Sequence, residues 1–344
     1  MELPLKISDL RFLVTGGAGF IGSNIVEELL RRGCFVRVLD NFSTGKRSNL
    51  SPFKGDIEIV EGDIRSYHLV QRATEGIDVV LHQAALPSVP RSIFDPITTN
   101  EVNAIGTLNV LEAARQARVR RLVFASSSSV YGDNPAMPKQ EGMTPYPLSP
   151  YAVSKLTGEH YCQVFSKIYG LSTVSLRYFN VFGPRQDPDS QYSAVIPKFI
   201  KIMSENERPV IFGDGEQSRD FTYIGNVVRA NLLAATAECD GGYAINCACG
   251  EQKTLNQLVK ELGVLLGNDI EPVYADPRPG DVKHSLADIG RAKVLLNYEP
   301  SISFEKGLAK TVSVFGDYNM SRQPVQLKRS ALHTSKSPEY LENV

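Results

Sequence analysis

The chain has 344 residues, 42% hydrophobic and 22% charged, with 37 basic against 38 acidic side chains for a formal net charge of -1. Its length predicts about two domains, and the balanced charge gives no reason to expect nucleic acid or an anionic membrane as a partner. No apolar run approaches the roughly 18 residues that span a bilayer, and the start, MELPLKISDLRFLVTGG, lacks a signal-peptide layout. The five scattered cysteines, Cys34, Cys162, Cys239, Cys247 and Cys249, read as reduced thiols of a cytoplasmic protein; no metal site is expected.

In chain order, Phe12–Val14 reads as a buried strand, and Ile21, Ile25, Val26, Leu29 and Leu30 fall at helical spacing up to Gly33. Further strands are predicted at 35–39, 57–60, 79–81 and 122–124, with a long helix from about 100 to 118 before the last. Short apolar strands joined by helices predict an α/β fold, a Rossmann-like doubly wound parallel sheet with helices on both faces. Such sheets bind ligands at the carboxyl ends of their strands. Beyond about residue 180 prolines punctuate the pattern, with helices predicted near 195–206, 226–237 and 254–267, as for a smaller mixed α/β domain over that edge. The expected division is 1–179 for a dinucleotide-binding domain, to which segments of the second half can return, 180–316 for a substrate domain and 317–344 for a flexible polar tail.

Gly16, Gly19 and Gly22 form G-x-x-G-x-x-G between the first strand and the first helix. Glycines permit the tight turn and a close approach to a pyrophosphate, and the helix N-terminus offers free N–H groups to the phosphates. Asp40 ends the second strand 18 residues after Gly22. A carboxylate there accepts from a ribose diol and repels a 2′-phosphate, so NAD is expected rather than NADP. Lys46 and Arg47 follow closely and would soften that preference unless they are simply solvated. Asp63-Ile64, after the third strand, either meets the adenine edge or caps a helix.

Tyr151 and Lys155 stand four residues apart at the start of a helical pattern, which places both on one face. A phenol titrates near 10, so Tyr151 needs nearby positive charge to act as a base; Lys155 and an oxidised nicotinamide would both lower its pKa. The run Ser126–Ser129 follows the strand ending near Ala125, where a hydroxyl can relay a proton to or from Tyr151. In the second half, Arg219 and Arg278 suit a diphosphate because their forks donate in pairs, the competing reading being surface salt bridges.

TGGAGFIG, DNFSTG, SSSSVYG, YAVSK and RYFNVFGPRQ together resemble the extended short-chain dehydrogenase/reductase family over about residues 8–316, nearest to its nucleotide-sugar 4-epimerase branch. The resemblance implies NAD held as a prosthetic group, a UDP-hexose in the second domain, and Ser127, Tyr151 and Lys155 as the catalytic set. It implies cofactor contacts from Gly16, Gly19, Phe20, Ile21, Gly22, Asp40, Asn41, Ser43, Thr44, Gly45, Asp63, Ile64, Gln83, Ala84, Ala85, Asn103, Ser126, Tyr151, Lys155, Tyr178, Asn180 and Val181. Substrate contacts are implied for Ser88, Ser127, Ser128, Tyr151, Asn180, Ala194, Val195, Lys198, Phe212, Arg219, Arg278, Asp281 and Ser285. Phe212 would stack on uracil, with a core role as the competing reading, and Asp281 would take a ribose hydroxyl. A homodimer is implied through the helical patterns at 100–118 and 151–169.

Within this family, 4,6-dehydratases place Asp-Glu after the catalytic serine or threonine, and glucuronate decarboxylases place Glu before VYG. Ser128 and Ser129 occupy these positions here, so a redox cycle at one carbon fits better than elimination or decarboxylation. Ser285, four residues after Asp281, stands where a tyrosine restricts the pocket to plain hexoses and a small residue admits an N-acetyl group. UDP-GlcNAc and UDP-GalNAc are therefore favoured, with UDP-Glc and UDP-Gal accepted if Pro87, before Ser88, alters a contact to the acetyl group. The alternatives are a UDP-glucuronate 4-epimerase or decarboxylase of the same fold, and a non-catalytic NAD-binding sensor, which has no need of a Ser–Tyr–Lys set.

Overall fold

Successive residues of a strand face opposite sides of a sheet, so a strand apolar throughout must be covered on both faces. The apolar middle of Arg11–Thr15 (β1) meets that condition: Phe12 and Val14 enter one core and Leu13 the other. The computed structural model describes residues 6–189, 194–239, 241–277 and 283–322, with side chains to residue 315. Phe35–Asp40 (β2), Glu58–Glu61 (β3), Val79–His82 (β4), Arg121–Ser127 (β5) and Thr173–Tyr178 (β6) complete the strands of the first half. Val79, Leu81, Val123 and Ala125 share a core with Phe12, whereas Val80, Leu122 and Phe124 share the other with Leu13.

Phe20–Arg31 (α1), Arg47–Leu50 (α2), Tyr67–Thr74 (α3), Val89–Phe94 (α4), Pro96–Asn100 (α5), Gly106–Gln116 (α6) and Pro150–Tyr169 (α7) connect and flank these strands. The helix predicted from about 100 to 118 starts earlier and is interrupted: α5 and α6 are separated by a π-helical turn, Glu101–Ile105. In that wider turn Asn103 holds both backbone groups of Leu86 and the Ser154 hydroxyl of α7.

The second half contributes Val181–Phe182 (β7), Val210–Phe212 (β8), Ser218–Arg219 (β9), Thr222–Tyr223 (β10), Tyr243–Cys247 (β11), Lys253–Thr254 (β12) and Val273–Ala275 (β13). Its helices are Val195–Ser204 (α8), Ile224–Thr236 (α9), Leu255–Leu266 (α10), Gly290–Leu296 (α11) and Phe304–Arg322 (α12). The main sheet has the order β11-β6-β5-β4-β1-β2-β3 and every pair in it is parallel. The strand order reverses between β1 and β4, which opens a crevice at their carboxyl ends, the usual ligand site of a doubly wound sheet. Strand β11 and helix α9 belong to the second half of the chain but pack with the sheet, α9 against α1. The remaining strands form three two-stranded pairs, β7 with β10, β8 with β13 and β9 with β12.

The first residues of the tail expected from 317 are helical, because α12 continues to Arg322. The rest of that expected tail, 323–344, lies outside the described residues.

Helix α7 lies on β5 with no room to spare. A Cβ at Gly158 would come 2.4 Å from Cζ of Phe124, a ring held fully inside the core. Gly158→Ala is therefore expected to lower stability by about 1–3 kcal/mol through overpacking, read from urea unfolding; an unchanged midpoint would contradict this tight contact.

Candidate active site

A glycine at N-cap leaves the first N–H groups of a helix without a side-chain acceptor. Gly19 caps α1 in this way, and the following Phe20, Ile21 and Gly22 line a cavity of about 630 Å³ along the carboxyl edge of the sheet. Gly16 is left-handed at φ +68°, and a Cβ on it would sit 2.7 Å from the Ala84 nitrogen. A Cβ at Gly22 would sit 2.2 Å from the Gly16 carbonyl oxygen. These two positions require glycine, and the bare helix end they create suits a pyrophosphate. The cavity continues past Asp40, Asn41, Ser43, Thr44 and Gly45 to Asp63 and Ile64, and in the other direction past Gln83, Ala84 and Ala85 to Ser126, Tyr151, Lys155, Tyr178 and Val181. The residues present thus fit an elongated dinucleotide such as NAD.

Among the residues expected at the cofactor, only Asn103 and Asn180 lie off this cavity. Asn103 is spent on Leu86 and Ser154, as described above. Asn180 lines a second cavity of about 320 Å³, with Ala194, Val195, Lys198, Phe212 and Arg219. The two cavities share Val181 and Ala194 in their walls. Ser88 lines the larger one, and its hydroxyl also caps α4 by accepting from the Arg91 N–H at 3.1 Å. Ser127, Ser128 and Ser285 line neither cavity. Ser285 donates its N–H to the Ser218 carbonyl at 3.0 Å, beside Arg219, while Arg278 and Asp281 lie outside the described residues.

Asp40 does more than border the cavity. Its two oxygens accept from the N–H groups of Ala18 at 2.9 Å and Phe42 at 2.8 Å, bracing the glycine loop. Burial pushes its carboxyl up and those two donors work against the shift. Asp63 does not cap a helix, since the N-cap of α3 is Ser66. It instead accepts from Arg65 and Asn41, which hold its carboxyl below the usual range. Lys46 is paired with Asp187 at 2.7 Å and Arg47 with Glu61 at 2.6 Å, so each cation already has a carboxylate of this chain.

The catalytic candidates meet where α7 begins. Ser149 caps the helix by accepting from the Ala152 N–H, and Pro150 takes the first position, which needs no donor. The next residue is Tyr151, whose phenol lies near enough to the Ser127 side chain for that hydroxyl to lower its pKa. The Lys155 ammonium donates to the Ala125 carbonyl at 2.8 Å and lies 5.9 Å from the centre of the Tyr151 ring. Burial pulls Lys155 down to about 7. It also raises the phenol, against the lowering effect of Ser127. The lowering of the phenol expected from Lys155 is thus reversed, because desolvation penalises the charged form of both groups.

Several lining residues escaped the sequence reading: Leu86, Arg91, Val102, Arg185 and Gln186. Arg185 and Gln186 stood in the run RYFNVFGPRQ without being singled out. Arg185 pairs with Glu27 and donates to Asn24 at 2.8 Å, fastening the second half onto α1. Glu159 and Arg177, paired at 2.7 Å beside β5, were also missed. Their signal was a charge inside the apolar face of a helix and another inside a fully buried strand. Among the described residues no group of three or more histidine, cysteine or acidic side chains could hold a metal, and no helix is long and apolar enough to cross a membrane.

A family model described as "NAD dependent epimerase/dehydratase family" matches residues 12–248. The chain is 38% identical over 310 residues to a UDP-glucose 4-epimerase of Mycolicibacterium smegmatis, covering 89% of this chain and 98% of that protein. It superposes with a TM-score of 0.86 and 43% identity on the UDP-N-acetylglucosamine 4-epimerase from Methanobrevibacter ruminantium in complex with UDP-N-acetylmuramic acid, covering 90% of this chain and 99% of the other. For the Thermus thermophilus UDP-glucose 4-epimerase complex with NAD the TM-score is 0.81 at 40% identity, over 89% and 99% of the two chains.

Beneath the glycine loop, His82 is buried between Thr15 at 2.7 Å and Thr107 at 2.9 Å. Burial, aided by the Lys155 charge, lowers its pKa to about 3. The unfolded chain therefore binds a proton that the folded chain refuses between the ordinary value near 6.5 and about 3, and stability falls as pH drops through that window. His82→Gln is expected to flatten this part of the stability profile, read from urea midpoints between pH 7 and 4; an equally steep fall in the variant would contradict a neutral His82.

Proposed function

The chain belongs to the NAD-dependent epimerase/dehydratase family, and on that premise we propose that it inverts C4 of UDP-hexoses, with UDP-GlcNAc and UDP-GalNAc favoured and UDP-Glc and UDP-Gal also accepted. The observation that carries this reading is that Tyr151 and Lys155 line the same cavity as the glycine loop, beside a second cavity whose mostly apolar walls also carry Asn180, Lys198, Gln217 and Arg219. In the second cavity Arg219 and Lys198 take the diphosphate, Asn180 assists them and Phe212 faces uracil.

Bound NAD supplies a reversible acceptor for the hydrogen on C4. Tyr151 takes the proton of the 4-hydroxyl, with the Ser127 hydroxyl bridging the two oxygens, and a 4-keto sugar results. Lys155, fixed by the Ala125 carbonyl, favours the phenolate as it forms. While the keto sugar turns over, the cations of the second cavity keep its nucleotide end in place. Once the other face of C4 is presented, the hydrogen that NAD would hold returns to C4 on that face, and Tyr151 or Ser127 gives the proton back to the C4 oxygen. There is no net oxidation, so turnover needs no supply of soluble NAD.

The preference for acetylated sugars is supported by the 43% identity to the UDP-N-acetylglucosamine 4-epimerase and by the small side chain at Ser285, which lines neither cavity itself but is bonded through its backbone to Ser218, next to Arg219 of the second cavity. A homodimer is proposed through α6, α7 and their neighbours, which expose Ile105, Val153, Val164 and Ile168. Sedimentation at the mass of a single 37.9 kDa chain would remove that part.

With UDP-GlcNAc, and separately UDP-Glc, proton NMR without added NAD is expected to show the galacto epimer growing at constant mass. Loss of CO2 or water, or conversion of UDP-glucuronate alone, would overturn the reading. Tyr151→Phe is expected to lower kcat by about 10²–10⁴-fold with the KM for the UDP-sugar nearly unchanged. Ser285→Tyr is expected to suppress turnover of the acetylated sugars selectively, and an equal loss for UDP-Glc would show that Ser285 does not gate the pocket.

A further inference from the structure

Three consecutive residues of β5 are engaged by one face of α7. Ala125 gives its carbonyl to Lys155 at 2.8 Å and Ser126 donates its hydroxyl to the Glu159 carboxylate, while Ser127 lies beside the Tyr151 phenol and lowers its pKa. Tyr151, Lys155 and Glu159 follow at four-residue intervals, so they form one row along the helix. Glu159 in turn accepts from Arg177 through both oxygens, at 2.9 and 2.7 Å. Arg177 is the residue of β6 in register with Ser126. Its guanidinium also lies 4.7 Å from the ring centre of Tyr131, in the turn that immediately follows Ser127.

Glu159 and Arg177 are 1% and 3% exposed. Removing two charges from water costs about as much as their attraction returns, and apolar replacements of such pairs are often neutral or stabilising. Stability alone therefore gives no reason for this pair. What it does provide is a directional contact on the middle residue of the triplet that carries the catalytic serine.

We propose that Glu159 and Arg177 are positioning residues, which fix the register of α7 on β5 through Ser126 and so hold the Tyr151 phenol against Ser127. The pair touches neither cavity and takes no part in proton transfer. Misplacement of a reacting group by about 1 Å can cost on the order of 10²-fold in rate. This inference rests on the roles proposed above for Ser127 and Tyr151.

The test compares wild type with Glu159→Met/Arg177→Met, which leaves no lone buried charge, and with Ser126→Ala, which cuts the link and keeps the ion pair. Both variants are expected to lose about 10–100-fold in kcat, with the KM for the UDP-sugar within about threefold of wild type and bound NAD retained. Hydrogen exchange is expected to rise at residues 125–131 in the double variant. A double variant that melts cooperatively with wild-type kcat would overturn the proposal, since the pair would then be structural only. Wild-type kcat in Ser126→Ala overturns it as well, and this variant decides the matter if the double variant does not fold. Should the wild-type protein turn over no UDP-sugar, the proposed function fails by itself. The pair is then judged by exchange alone, and unchanged protection at 125–131 in the double variant overturns it.

Discussion

The contact on which the rest depends is the close seating of α7 against β5, where the absent side chain of Gly158 lets the Phe124 ring touch the helix backbone. A helix held at that distance cannot slide or roll without a clash, so every side chain on its inner face is assigned a fixed partner on the strand. Tyr151 and Lys155 inherit their places from that packing rather than from one another. The two cores on either side of the sheet serve the same end, because they bring the carboxyl ends of β1, β2, β4 and β5 to one common edge.

Burial has a less obvious effect on the chemistry. It raises the phenol of Tyr151 and lowers the ammonium of Lys155, so both groups are biased toward their neutral forms. A phenolate in that setting is costly until positive charge is brought beside it. On the proposed function, the nicotinamide of bound NAD would bring that positive charge to Tyr151.

Much of this was legible in the sequence where local rules act alone. The glycine spacing at 16, 19 and 22, the carboxylate at Asp40 and the four-residue step from Tyr151 to Lys155 are short-range patterns, and geometry follows from them directly. The strands buried on both faces declared a parallel sheet for the same reason. What could not be read were long-range choices. That Tyr243–Cys247 pairs with β6 depends on register across the fold, and that Lys155 seeks the Ala125 carbonyl depends on a helix-to-strand distance. Asn103 was expected at the cofactor from its place in the motif, but that its side chain holds the loop at Leu86, a partner 17 residues away, was not readable. Glu159 and Arg177 could have been found as charges out of place in apolar stretches, although their pairing could not.

The π-helical turn at Glu101–Ile105 carries a consequence for how this chain can vary in length. Such a turn holds about one residue more than an α-helical turn, and each residue of a regular helix accounts for about 100° of rotation. The wide turn takes up its extra residue internally, so a chain one residue shorter there would form an unbroken helix that keeps Thr99 buried and Ile97 at the surface. What such a chain would lose is the widened turn from which Asn103 grips the backbone of Leu86, so the residue count of this helix is tied to that loop and not to the core.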